Sequence, residues 1–303
     1  MTYAFSFKDC LAKAERINWR VDELIGPGKT LDFSKPFLPE ALARTEALPF
    51  LTPAERLTLN QIRGNAYLTI FGLVEEFILP FLMDHARPDV SGESNRSRAL
   101  LEFAAEEAKH IHLFRTFAAA FADGFNTRCD VIGPPDAVAK HVLSHPPLSV
   151  ALLILHVEWM TQRHFTESMQ DDRGMDGCFK DLLLHHWMEE QQHAQLDTLL
   201  VEEIAAGCKP EEIDAALEGY KALGAFLDGA LAQQAAFDLD ALQRACGRDF
   251  DEAERAQFIA AQHQANRWTY IGSGLSHPRF VETIHRLKPQ ASDEFAAMAE
   301  ALS

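Results

Sequence analysis

Apolar residues return every three or four positions along four long stretches of this chain, and proline, glycine and short polar runs separate them. Thr52-Pro53-Ala54-Glu55 opens the first stretch. Thr at the N-cap, Pro at the first helical position and Glu at the third predict a helix reaching about Asp84. Pro88, Ser91, Gly92 and Ser94 make the next segment a loop, and a second helix is expected from about Arg96 to Phe121. A long connection, Asp123 to Pro147, carries Gly133-Pro134-Pro135 and Pro146-Pro147 and leaves room for at most one short helix. Helices over Ser149–Met169 and Cys178–Ala205 follow, divided by the polar turn around Asp171-Asp172-Arg173-Gly174. The first fifty residues, broken by Gly26-Pro27-Gly28, Pro36, Pro39 and Pro49, read as a wrapping segment. Gly26-Pro27-Gly28 is too short for a phosphate-binding loop and predicts a turn. Beyond Lys209-Pro210-Glu211-Glu212, further amphipathic helices are expected, with breaks at Gly247, Gly272-Ser273-Gly274 and Pro278. No long stretch alternates with period two, so the fold class is all-α. The chain is expected to be a single domain of 1–303, with a wrap over 1–53, a four-helix core over 54–203 and a helical C-terminal extension over 204–303.

The apolar stripes are interrupted by ionisable residues at helical spacing. His186, Glu190 and His193 fall at i, i+4 and i+7, so two imidazoles and a carboxylate project from one face of the fourth helix. Glu107 and His110 interrupt the stripe of Leu100, Phe103, Phe114 and Phe117 on the second. Glu158 shares the face of Ile154, Leu155 and Phe165 on the third. On the first helix, placing Arg56, Asn60 and Arg63 outward turns Asn65, Thr69 and Glu76 inward; Glu75, about 100° away, is the alternative. A third Glu-x-x-His, Glu282 to His285, has no inward glutamate one helix earlier and is expected to hold a partly buried structural histidine.

Arrangement carries more weight than any one pair. Glu76 and Glu107 lie 31 positions apart, and Glu158 and Glu190 lie 32. Each helical hairpin therefore sets its two ligands at one height, roughly 15 Å from the turn. Glu on one helix, Glu-x-x-His on the next, and a long crossover between copies is the order of ferritin-like carboxylate bundles. Four carboxylates with two or three imidazoles suit a pair of iron or manganese ions, whereas zinc takes fewer, softer ligands. Buried glutamates without cations would repel one another and take up protons. Asp197, one turn after His193, is placed to accept a hydrogen bond from its imidazole or from that of a neighbouring ligand. Glu102, Glu106 and Glu189 are expected on solvated flanks or in contact with the ligands.

A formal charge of −17 argues against nucleic acid or an anionic membrane as partner. Five scattered cysteines, none in a Cys-x-x-Cys spacing, fit reduced thiols in a cytoplasm. No signal peptide is read at the N-terminus, and runs such as Leu148 to Leu155 fall far short of the roughly 20 residues that span a bilayer.

His186-x-x-x-Glu190-x-x-His193, preceded by Glu158, Glu107-x-x-His110 and an earlier inward Glu, resembles the metal-ligand set of the p-aminobenzoate N-oxygenase family, non-haem di-iron oxygenases on a ferritin-like bundle. The resemblance spans about residues 54 to 203, and its histidine triplet is the specific part. It implies that Glu76, Glu107, His110, Glu158, His186, Glu190 and His193 hold two iron ions, with manganese possible at one or both positions. It also implies dioxygen as co-substrate and oxygen transfer to a small organic molecule such as an amine. Thr69, Gly72, Thr161, Gln162 and Trp187 are candidates to line the substrate pocket. The chain has neither a dinucleotide fingerprint nor an iron–sulfur cysteine cluster, so electrons are expected from an external reductase or ferredoxin. A homodimer is the expected assembly. Two other readings stand beside the oxygenase: a ferritin-like ferroxidase that handles iron, and a metal-binding bundle without turnover.

Overall fold

Thr52 and Glu55 start the central helix as their sequence dictates. The Thr52 hydroxyl accepts the Glu55 amide at 3.3 Å, and the Glu55 carboxylate accepts the Thr52 amide at 2.8 Å. The computed structural model describes residues 5–92 and 94–302, and these contain helices and no strand. Three short helices, α1 (Phe7–Ala14), α2 (Val21–Leu24) and α3 (Glu40–Ala43), belong to the N-terminal wrap. Then come α4 (Pro53–Ala86) and α5 (Asn95–Phe125), the small α6 (Pro135–Val142) in the crossover, α7 (Pro147–His164) and α8 (Gly177–Ala206). The extension holds α9 (Pro210–Cys246), α10 (Glu252–Arg267), α11 (Ser273–Leu275), α12 (Pro278–Leu287) and α13 (Ser292–Ala301). Asp176 caps α8 by accepting the Phe179 amide at 2.7 Å, and Gly247 closes α9 in the left-handed region at φ 62°.

One expected break is not a break. Gly272-Ser273-Gly274 lies inside continuous helical structure, because a π-helical turn, Trp268–Gly272, carries α10 into α11. These residues are buried, where backbone groups must stay hydrogen-bonded, and helix satisfies them locally. Glycine at 274 answers a packing demand: a Cβ there would sit 2.5 Å from Nε2 of His156.

The hairpins α4–α5 and α7–α8 form the bundle, α9 lies across α4 and α7, and α1 lies across α5 and α8. Two apolar clusters flank the middle of the bundle, and a third packs Leu59 and Ile62 of α4 with Leu242 of α9 and Phe258 of α10. Phe77, Leu82, Leu100, Phe103, Ile154 and Leu200 belong to the first, and Phe71, Phe114, Phe117, Val157, Phe179 and Leu183 to the second. Each fully buried side chain of this size is worth about 1.5–3 kcal/mol relative to exposure. Along every helix of the bundle the change from one cluster to the other falls at the same level. Glu75, Glu107, Glu158 and Glu190 occupy that level. By length and composition α4 could cross a membrane, yet it is a core helix with buried Asn60, Arg63, Asn65 and Glu75.

Candidate metal centre

Four glutamates and three histidines meet in the polar layer. Glu75 comes from α4, Glu107 and His110 from α5, Glu158 from α7, and His186, Glu190 and His193 from α8, and all seven are buried. Their ligand atoms form two overlapping quartets, Glu75, His110, His186 and Glu190, and Glu107, His110, Glu190 and His193. Within each quartet all atoms lie within 4.8 Å of one another. Glu190 is the hub: its carboxylate stands 2.8 Å from His186 Nε2, 3.1 Å from His110 Nδ1 and 2.9 Å from His193 Nδ1. Glu75 Oε1 lies 3.2 Å from His186 Nε2, and Glu107 Oε1 lies 3.1 Å from His193 Nδ1. Glu158 is in neither quartet, but it shares the layer with Glu190, whose carboxylate helps raise its pKa.

The inward residue of α4 is Glu75, and the expectation of Glu76 is corrected. Glu76 is half-buried and pairs with Arg115 at 2.7 Å. The face was misread because Asn60 and Arg63 mark no solvent side. Asn60 is buried, accepting the amides of Phe37 and Leu38 at 2.7 and 3.0 Å, and Arg63 is buried against Asn266 and the Leu42 carbonyl. The wrap and the extension cover that side of α4, which moves the inward stripe by one residue.

A doubled glutamate before each Glu-x-x-His braces the imidazoles crosswise. Glu189 of α8 takes Nε2 of His110 from α5 at 2.7 Å, and Glu106 of α5 takes Nε2 of His193 from α8 at 2.8 Å. Lys109 in turn pairs with Glu189, and Gln192 donates to both oxygens of Glu106 at 2.9 and 2.8 Å. Both histidines thereby present Nδ1 to the carboxylate cluster, the orientation that outer carboxylates impose on metal-ligating imidazoles. The bond expected from Asp197 to His193 is made by Glu106 instead. Asp197 is buried with its carboxyl raised by burial, and its Oδ2 has no hydrogen-bond partner among the described residues. Sequence reading left Glu106 and Glu189 undecided; the repeat Glu106-Glu107-x-x-His110 and Glu189-Glu190-x-x-His193 was the available signal. Glu102, by contrast, is exposed. Trp19 of the wrap stacks on His110 at 5.9 Å with planes 6° apart, and Phe103 stacks on His193 at 3.8 Å.

Electrostatics in this layer is that of a cation site. Burial, then the neighbouring carboxylates, raises Glu75 and Glu158 well above the ordinary range, and burial raises Glu107. Burial also opposes charge on Glu190, but His186 and His193 outweigh it and lower its pKa. His110 is pushed up to about 9: burial disfavours its proton, while Glu189 and Glu190 hold it more strongly. His193 is raised well above 6.5 by Glu190 and Glu106 against burial, and His186 is lowered by burial. Protons here do the neutralising that a cation can do. Both oxygens of Glu107, one each of Glu75 and Glu158, and Nδ1 of His110 make no hydrogen bond of good geometry among the described residues. Orphaned buried oxygens in such number are costly, and a pair of hard divalent ions would satisfy them together. The donor set of carboxylates and imidazoles fits iron or manganese.

The expected pocket residues do not share one pocket. Thr69 and Gly72 line a cleft of about 370 Å³ that also holds Glu76 and Arg115. Thr161 and Trp187 line a void of only about 10 Å³ beside His186. Gln162 donates to the Trp187 carbonyl at 3.4 Å. His285, of the third Glu-x-x-His, is exposed rather than partly buried and meets Ser292 at 3.1 Å.

No family model matches the chain, and no curated protein matches it in sequence. Solved structures do match. An R2-like ligand-binding oxidase with aerobically reconstituted Mn/Fe cofactor superposes at a TM-score of 0.51 and 14% identity, over 88% of this chain and 93% of that one. A mutant R2-like ligand-binding oxidase with aerobically reconstituted Fe/Fe cofactor gives 0.50 and 14%, over 89% and 94%. At this identity the likeness establishes the architecture: the chain has the ferritin-like all-helical fold.

Proposed function

We propose that the chain is a non-haem di-iron oxygenase that oxygenates a small organic substrate, with N-oxygenation of an amine as the specific form. The carrying observation is the pair of ligand quartets that share His110 and Glu190. The Mn/Fe and Fe/Fe centres named for the fold relatives support the choice of metals, and His186 beside the last Glu-x-x-His supports the resemblance to the p-aminobenzoate N-oxygenase family. Glu75, Glu107, Glu158, Glu190, His110, His186 and His193 would hold two iron ions, or manganese at one or both positions. Bound there, the pair supplies the redox chemistry that reduces dioxygen.

The chain's own residues do the rest. Glu106 and Glu189 fix the ring orientation of His193 and His110, so that Nδ1 of each faces the cluster. Burial lowers the pKa of His186 and so favours the neutral ring, the form that can offer a nitrogen lone pair to a cation. The two apolar clusters above and below keep bulk water from the layer. Electrons come from an external reductase or ferredoxin, and the working assembly is a homodimer. The test is oxygen uptake after anaerobic loading with ferrous iron. Uptake in proportion to bound iron is expected. Bound iron with no uptake would leave a metal-holding bundle without turnover.

A further inference from the structure

On the side of the bundle where α9 crosses α4 and α7, a cleft of about 450 Å³ lies under α9 and against α6. Its inner wall contains Leu73, Val74 and Phe77, which bracket Glu75 on α4, and Leu153 and Val157, which precede Glu158 on α7. The cleft thus backs onto the two helices that each give one glutamate to the centre. Among the described residues no Lys, Arg, His, Asp or Glu lines it, and Gln233 is the one polar lining side chain. On the outer wall α9 turns Ala225 and Gly229, one helical turn apart, toward this space. A Cβ added at Gly229 would meet no atom within 4 Å. Glycine in mid-helix costs about 0.5–1 kcal/mol relative to alanine, and here it leaves room and no tight contact.

We propose that this cleft is the substrate site of the centre, and that it takes an uncharged, largely apolar small molecule with at most one polar group, set against Gln233. The proposal rests on the oxygenase reading. An anion is a poor occupant, because no cation lines the cleft to offset its desolvation. Its size is that of ordinary small-molecule sites, and a ring or branched hydrocarbon would cover its aliphatic wall. The neighbouring cleft at Thr69 and Gly72 shares Leu73, Ile132 and Gly133 with it but holds the Glu76–Arg115 ion pair. The two clefts therefore sort ligands by charge.

The test uses fluorine NMR with 2-fluoronaphthalene and 6-fluoro-2-naphthoate, the same ring without and with a charge, on the full metal-free chain. The neutral ring should bind at least about 10-fold more tightly than the carboxylate, a difference of about 1.4 kcal/mol. Gly229→Phe, which adds a ring on the cleft's outer wall where a Cβ meets no atom, should abolish that binding, while Gly224→Phe, where an added Cβ also meets nothing but outside the cleft, should leave it unchanged. Loading with manganese should then broaden the bound fluorine line, reporting the centre behind the wall. Equal binding of the carboxylate, or a Gly229→Phe variant that binds as the parent does, overturns the proposal. So does binding with no extra broadening in protein that holds manganese. Failure to take up manganese at all would instead count against the oxygenase reading, since the metal-free arm stands without it.

Discussion

Burial lowers three of the buried histidines, His156, His164 and His186, yet His110 and His193 are raised against it. In the carboxylate layer, His110 is held up to about 9 and His193 is raised well above 6.5. On α7, His156 is pushed down to about 4 and His164 to about 3, in both cases chiefly by burial. Their hydrogen-bond partners are neutral. His156 meets the Tyr220 hydroxyl at 2.7 Å and the Tyr270 carbonyl at 3.2 Å, and His164 meets Tyr67 at 2.9 Å and Ser273 at 2.8 Å. Every ring nitrogen in that second group has a neutral partner, so those histidines are finished structural parts. The first group is surrounded by carboxylate oxygens in excess of donors. Burial alone does not mark a functional histidine; an unmet demand for positive charge beside it does.

The sharpest way to break the distinction is Glu190→Ala. It removes the hub of both quartets, and bound metal should fall from about two ions per chain to near none, measured by elemental analysis. Next, Glu106→Gln and Glu189→Gln each leave the ligands intact but loosen one imidazole. Metal affinity should drop by about 10- to 100-fold, read by competition with a chelator. His156→Asn should act on the other group only, costing about 1–3 kcal/mol in urea unfolding with metal content unchanged.

The same variant sharpens the pH dependence. Between pH 6.5 and about 4 the unfolded chain protonates His156 while the folded chain does not. Stability should therefore be fully present above 6.5 and fall with decreasing pH through that window, by up to about 1.4 kcal/mol per pH unit for this group. The difference between parent and His156→Asn, followed from pH 7 to pH 5, isolates that slope. The smallest effect belongs to Glu76→Gln. Its pair with Arg115 is largely exposed on the arginine side, so stability should change by under about 1 kcal/mol and metal content not at all.

The helices, the crossover and the two Glu-x-x-His pairs were legible because they rest on local pattern: periodicity, Thr52 and Pro53 at a helix start, and Pro-rich connections. What was not legible depends on tertiary cover. Asn60 and Arg63 are polar residues that ordinarily face water, and here the wrap and the extension bury them, so the choice between Glu75 and Glu76 turned on contacts more than twenty and two hundred positions away. Glu106 and Glu189 read either as solvated charges or as contacts of the ligands, and only the opposite helix, supplying His193 and His110, decides for the second. Gly272-Ser273-Gly274 reads as a break, but its buried backbone leaves helix as the satisfied state.

The central claim is a two-ion centre held by these seven side chains with Glu75, not Glu76, as the contribution of α4. It is tested most directly by counting iron in Glu75→Gln and Glu76→Gln beside the parent after anaerobic reconstitution. The account predicts about two irons per chain in the parent and in Glu76→Gln, and a clear loss in Glu75→Gln. A parent that holds fewer than about one iron, or a loss confined to Glu76→Gln, would contradict it.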